Sequence, residues 1–199
     1  MKILTVADTV TEKLLDRDNP PPELAGIEFI IGCGDLPPEY LTALRSIYNV
    51  PLYYVLGNHD IRYDAAPPVG CHAIHRRLVV HHGIRIAGFS GSRWYNGNVN
   101  QYTEKEMTRY IRRMWFKFWR TGVDLIVTHA PPRYIGDAED PCHRGFHAYH
   151  KLLAKNKPRY MVHGHIHRIF QDDAERTSMF GTTQVINSYG YYTFEIEPV

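Results

Sequence analysis

Apolar positions fall in short runs that stop at turn-forming residues. Nine such runs predict strands: Lys2–Ala7, Ile27–Gly32, Pro51–Leu56, Leu78–His82, Ile84–Phe89, Asp124–Thr128, Tyr160–His163, Gln184–Ser188 and Tyr191–Ile196. Helices are predicted between several of them, near Pro38–Tyr48, Thr103–Arg120 and Phe146–Asn156. Strands alternating with helices in both halves point to a layered α/β fold. The clearest helix is Thr103–Arg120. Met107, Tyr110, Ile111, Met114, Trp115, Phe118 and Trp119 keep the i, i+3, i+4, i+7 spacing and define its packed face. Thr103 and Glu106 have capping-box spacing, and Gly122 follows the end. Its other face carries Lys105, Arg109, Arg112, Arg113, Lys117 and Arg120. That stripe reads as a solvated face, with nucleic acid or membrane contact as the alternative.

At 199 residues the chain is long enough to bury a core without disulfides, and one domain spanning 1–199 is the default. The stretch Asn19-Pro20-Pro21-Pro22 is too short to separate two domains. Hydrophobic residues at 44% and charged residues at 22% exclude a disordered or fibrous chain. No apolar run is long enough to span a bilayer. The first run stops at Asp8 without a small-residue cleavage site, so it reads as a buried strand and not a signal peptide. A net charge of +2 gives no reason to expect nucleic acid or an anionic membrane as a general partner. Three cysteines without C-x-x-C spacing fit a reducing, cytoplasmic compartment.

Histidine departs from the ordinary, with 12 residues and several in tight groups. The residue types that carry chemistry fall in five blocks: Asp8; Gly34-Asp35; Gly57-Asn58-His59-Asp60; Thr128-His129-Ala130-Pro131; and Gly164-His165-Ile166-His167. Each lies at or just after the end of a strand-like run, where open α/β sheets gather their ligands. Carboxylate, amide oxygen and imidazole together suit a first-row divalent metal better than calcium or a thiolate site. Singly, Asp8 reads as well as a helix cap and Gly34-Asp35 as a turn. The ordered set says more than any member.

That set resembles the signature of the calcineurin-like metallophosphoesterases: D-x-H, G-D, G-N-H-[DE], a strand-end histidine, and G-H-x-H. Four of the five blocks match letter for letter, and the chain is most similar to the small bacterial members of one domain. The resemblance implies a four-layer αββα sandwich, with two central mixed β-sheets flanked by helices and a dinuclear metal site at the strand ends. It implies that Asp35 bridges two divalent ions, manganese or else iron, zinc or nickel. Asp8 and His167 would hold the first, and Asn58, His129 and His165 the second. The departure is Val10, which stands where the family has the D-x-H histidine, so the first site is weak unless Thr11, Glu12 or water fills in.

The implied reaction is hydrolysis of a small phosphomonoester or phosphodiester by a metal-bound hydroxide, as a phosphatase or phosphodiesterase. His59 would protonate the leaving group or stabilise charge, and Asp60 would orient its imidazole. Arg93, with Trp94 and Tyr95, has the content of a substrate rim or of a plain surface loop. Cys33 and the Cys142-His143 pair read as structural, and His163 as a core or supporting histidine. The alternative function is a non-catalytic protein-binding scaffold of the same fold, which Val10 keeps open. A nuclease of this superfamily would need DNA-binding domains for which the tail after His167 leaves no room.

Overall fold

The structure, a computed structural model, describes residues 1–198. In chain order the strands are β1 (Lys2–Ala7), β2 (Ile27–Gly32), β3 (Leu52–Tyr54), β4 (His72–Ala73), β5 (Leu78–His81), β6 (Ile84–Phe89) and β7 (Ser92–Arg93). They continue with β8 (Gln101–Tyr102), β9 (Leu125–Thr128), β10 (Tyr160–His163), β11 (Thr177–Phe180), β12 (Thr183–Asn187) and β13 (Gly190–Glu195). The longer helices are α1 (Pro38–Tyr48), α2 (Glu104–Thr121) and α3 (Ala148–Asn156). The nine expected runs all appear as strands. The short strands β4, β7, β8 and β11 add to them, too brief to show a hydrophobic period.

Two sheets carry the fold, in the orders β13-β1-β2-β3-β4 and β11-β12-β10-β9-β6-β5. Both are mixed. β1 to β4 run parallel, with β13 antiparallel on the edge. β12, β10, β9 and β6 run parallel, with β11 and β5 antiparallel at the two edges. Burial of both faces explains why the central strands read as nearly continuous apolar runs.

Three apolar clusters mark the interfaces between four layers. Leu41 and Leu44 of α1 pack on Leu4, Val6, Ile30 and Leu52 of the first sheet. Ile3, Phe29, Ile31, Ile86, Val127 and Val162 fill the space between the sheets. Met107, Met114 and Phe118 of α2, with Tyr149, Leu152 and Leu153 of α3, cover the second sheet. The expected αββα sandwich is the observed architecture.

The capping box forms as its spacing predicts: Thr103 Oγ1 accepts from Glu106 N, and Glu106 accepts from Thr103 N. The packed face of α2 is narrower than expected. Met107, Met114 and Phe118 are buried, but Trp115 is 43% and Trp119 70% exposed. The sheet and α3 cover only one arc of the helix, so the outer members of its aromatic stripe stay in solvent. The basic residues of α2 are exposed beside them. Among the described residues, no helix is long and apolar enough to cross a membrane.

Candidate metal centre

Parallel strands within each sheet deliver their C-terminal ends to one edge of the sandwich. Asp8 follows β1, Asp35 follows β2, Asn58 lies four residues beyond β3, His129 follows β9, and His165 and His167 follow β10. Hydrogen bonds stitch these ends together: Asp8 N donates to Gly34 O, and Gly164 N to His129 O. Asp8, Asp35 and His165 all adopt positive φ, at 66°, 56° and 68°. Such backbone is uncommon outside glycine and clusters at functional sites. Gly164 is required by close approach, since a Cβ there would lie 2.6 Å from Asp8 Oδ2. Gly34, at φ +93°, lies where a Cβ would meet His129 Nδ1 at 2.7 Å.

Four side-chain atoms converge on one point. His129 Nε2 lies 3.1 Å from Asn58 Oδ1, 3.0 Å from His165 Nδ1 and 3.3 Å from Asp35 Oδ2. The protons at that point can be assigned. His129 Nδ1 is 2.8 Å from the carbonyl of Cys33, and His165 Nε2 is 2.8 Å from that of Cys142. A carbonyl only accepts, so those nitrogens carry the hydrogens of the neutral rings, and Nε2 of His129 and Nδ1 of His165 keep their lone pairs. Asn58 Nδ2 donates to Tyr95 Oη at 3.2 Å, which turns Oδ1 inward.

With both rings neutral the four atoms are all acceptors, an arrangement that calls for a cation or a shared proton among them. A metal bound at about 2.0–2.2 Å holds adjacent donors roughly 2.9–3.5 Å apart, so the spacing fits such an ion. Without one, a proton serves. Burial opposes charge on His129, but the Asp35 carboxylate outweighs it and raises the ring to about 9. Burial also opposes charge on Asp35, yet His129 and the His59 amide hold it down at about 2. His165 is pushed down to about 3 by burial and by the charge on His129, since one proton is enough for the cage.

Beside the cage lies a second, looser pair. The Asp8 carboxylate, fully buried, accepts from His165 N at 2.9 Å and lies 3.5 Å from His167 Nε2. Hydrogen bonding to Asp8 raises His167. Val10 is 40% exposed and offers no donor. Thr11 N bonds Tyr40 Oη.

A profile of the calcineurin-like phosphoesterase family matches residues 5–168. The chain belongs to the calcineurin-like phosphoesterase family. Its fold is that of TT1561 of Thermus thermophilus, with a TM-score of 0.65, 14% identity, and 95% of this chain and 89% of that chain covered. A single-substitution variant of Vps29 from Entamoeba histolytica superposes with a TM-score of 0.50, 13% identity, and 100% and 87% coverage. No curated protein matches the sequence. The family is in general one of phosphoester hydrolysis at a metal site, and in this chain the acceptor cage is a candidate ligand group.

One expectation is revised. Asp60 does not orient His59. Its carboxylate accepts from the backbone N–H of Gly57, Asp35 and Leu36 at 2.7, 2.9 and 3.1 Å, so it clamps the two ligand loops together. Burial raises Asp60 to about 6, with the Gly57 amide opposing. Arg93 lies on β7, paired beside Tyr102, and its side chain forms no hydrogen bond or ion pair among the described residues. Tyr95, two positions on, is the residue of that loop that reaches the cage. Near it, the Cys142 carbonyl fixes His165, and the His143 ring centre lies 5.3 Å from that of His165. The Asp140-x-Cys142-His143 spacing was the signal available in the sequence.

His59 N donates to Asp35 Oδ1 at 2.8 Å, and the His59 side chain is exposed. With Leu36, Pro37, Pro38, Ile61 and Arg62 it borders an open hollow of about 320 Å³ beside Asp35. His163 is buried, with Nδ1 donating to Gly164 O, and is not among the ligand atoms that converge with Asp35, His129 and His165. Cys33 is fully buried, and burial pushes its thiol up.

Proposed function

We propose that this one-domain chain hydrolyses a small phosphomonoester or phosphodiester in the cytoplasm, at two divalent ions of which manganese is the first candidate. The observation that carries the reading is the cage itself, in which Asp35 Oδ2, Asn58 Oδ1, His129 Nε2 and His165 Nδ1 face one another around one point. These four would hold one ion. Asp8 and His167, with Asp35 shared, would hold the other. When bound, such ions supply Lewis acidity that activates water and neutralises charge on the phosphoryl oxygens.

The chain supplies the rest. Asp60 keeps the Gly57 and Asp35 loops at fixed separation, so the donors are positioned before substrate arrives. Tyr95 holds the Asn58 amide with its oxygen inward. His59, exposed at the hollow beside Asp35, is placed to give a proton to the departing oxygen. The test is a screen of metal-loaded protein against chromogenic monoesters, chromogenic diesters and cyclic nucleotides. Manganese-supported turnover that a chelator abolishes is expected. Full turnover in stripped protein, or no ion bound in any preparation, overturns the reading. The missing imidazole at Val10 favours one alternative, a non-catalytic protein-binding scaffold. Ion binding at the cage with no turnover on any ester would support it.

A further inference from the structure

The half of the centre around Asp8 and His167 is one donor short, and its own strand offers no replacement. A different element faces it. The segment between β9 and α3 carries Asp140, Cys142 and His143, whose potential ligand atoms lie within 4.8 Å of one another. His143 Nδ1 lies 3.0 Å from both oxygens of Asp140, which also accepts from Cys142 N and His143 N at 3.1 Å. A carboxylate oxygen accepts, so Nδ1 carries the hydrogen of the neutral ring and Nε2 keeps its lone pair. A carboxylate behind an imidazole is the arrangement that orients histidine toward a metal.

The segment is anchored. Arg133, 5% exposed, pairs with Asp137 and Glu139 at 2.7 Å each. Gly145 N donates to Asp137 Oδ2, and the Cys142 carbonyl is tied to His165. These bonds place the His143 ring 5.3 Å from His165 and 6.2 Å from His167, centre to centre. His167 in turn stacks on Tyr189 at 5.1 Å. With a metal–nitrogen bond of about 2.1 Å, a coordinated imidazole has its centre about 3.2 Å from the ion, so two rings share an ion up to about 6.4 Å apart. The His143–His167 separation falls inside that limit.

We propose that His143, oriented by Asp140, is the imidazole donor that completes the metal position of Asp8 and His167 in place of the one absent at residue 10. The proposal rests on the dinuclear reading above and goes beyond it by naming a ligand from outside the five sequence blocks. Asp140 is a positioning residue, because it acts through the His143 ring.

The test is calorimetric titration of Mn(II) into chelator-stripped full-length protein, with thermal melts as the control for folding. Wild type is expected to bind two ions. His143→Ala should weaken the looser ion by more than about 100-fold and leave the tighter one unchanged. Asp140→Asn should weaken the same ion by about 10–100-fold. Adding Val10→His to His143→Ala should restore it, since residue 10 is exposed enough to take a ring. His143→Gln keeps the bulk of the side chain and should behave like the alanine variant, which separates loss of a ligand from loss of packing. Two ions at wild-type affinity in His143→Ala, or equal weakening of both ions, overturns the proposal. A wild type that binds no ion instead overturns the phosphoesterase reading itself.

Discussion

Two residues carry the chemistry that can be tested one at a time. His59 is exposed and contributes its backbone, not its ring, to the Asp35 carboxylate. Its replacement by Asn or Gln should therefore leave fold and metal content unchanged. Turnover of esters with poor leaving groups should slow by ~10²–10⁴-fold, and that of p-nitrophenyl esters by much less. Rates measured over a leaving-group series, beside metal analysis, check this. Loss of metal in the variant would make His59 a ligand. His129 is the second case. Its ring, raised to about 9 by Asp35 against the effect of burial, holds a proton at pH 7.5 in the ion-free protein. An ion needs the same lone pair, so binding should release about one proton, and apparent affinity should fall about tenfold per pH unit below 9. Titrations in buffers of different ionisation enthalpy read that number directly, and no release would mean that His129 is neutral in the ion-free protein. The sign for stability is opposite. A raised folded value makes the proton on His129 stabilising, fully so below about pH 6.5, and lost as the pH rises through about 9.

At the scale of elements, loops between parallel strands are pinned by carboxylates that accept backbone N–H groups. Asp60 does this for the β2 and β3 ends, and Asp124 does it for the far ends of β6 and β9. Asp124 Oδ2 accepts from Arg85 N at 2.8 Å and Arg85 Nε at 2.7 Å, and Arg85 Nη2 reaches Oδ1 at 2.6 Å. Arg85 also donates to Thr121 O, closing the end of α2 onto the sheet. Burial alone would raise Asp124, but the guanidinium holds it below the ordinary carboxylate value. Arg85→Ala should cost about 2–3 kcal/mol at pH 7, less than the roughly 3–5 of a fully buried pair because Arg85 is partly exposed. A lowered folded value means that this stability is present above about pH 4 and lost as the pH falls through the folded value. The gap between wild type and variant in urea melts should therefore shrink below pH 4. A gap that stays constant would assign the effect to packing of the arginine stem.

Across the whole molecule, one arrangement serves both sheets: strands run parallel inside each, so five polar blocks arrive at one edge although 71 residues separate the cage partners Asn58 and His129. The order of those blocks, the strand runs and the α2 capping box were legible from the chain, because each depends on residues near in sequence. Hydrophobic period marks a strand, and Thr103 with Glu106 marks a helix start, whatever lies outside. The side chains that act on a distant element were not legible. Asp60 reads as a partner for the adjacent His59, yet its rotamer answers three backbone amides, two of which come from the β2 loop. Tyr95 read as part of a substrate rim or of a plain surface loop, and only packing against the β3 loop makes it the partner of Asn58. Trp115 and Trp119 kept the helical period and still stayed in solvent, because the width of the covered arc is set by where α3 lies. His143 shows the same division. The sequence by itself determined the layered fold, the donor types and their order, since these follow from local period and residue chemistry. Which nitrogen carries a proton, which carboxylate clamps a loop, and which imidazole faces His165 and His167 were decided only when the sheets closed. Those properties depend on distances between segments that no local pattern encodes.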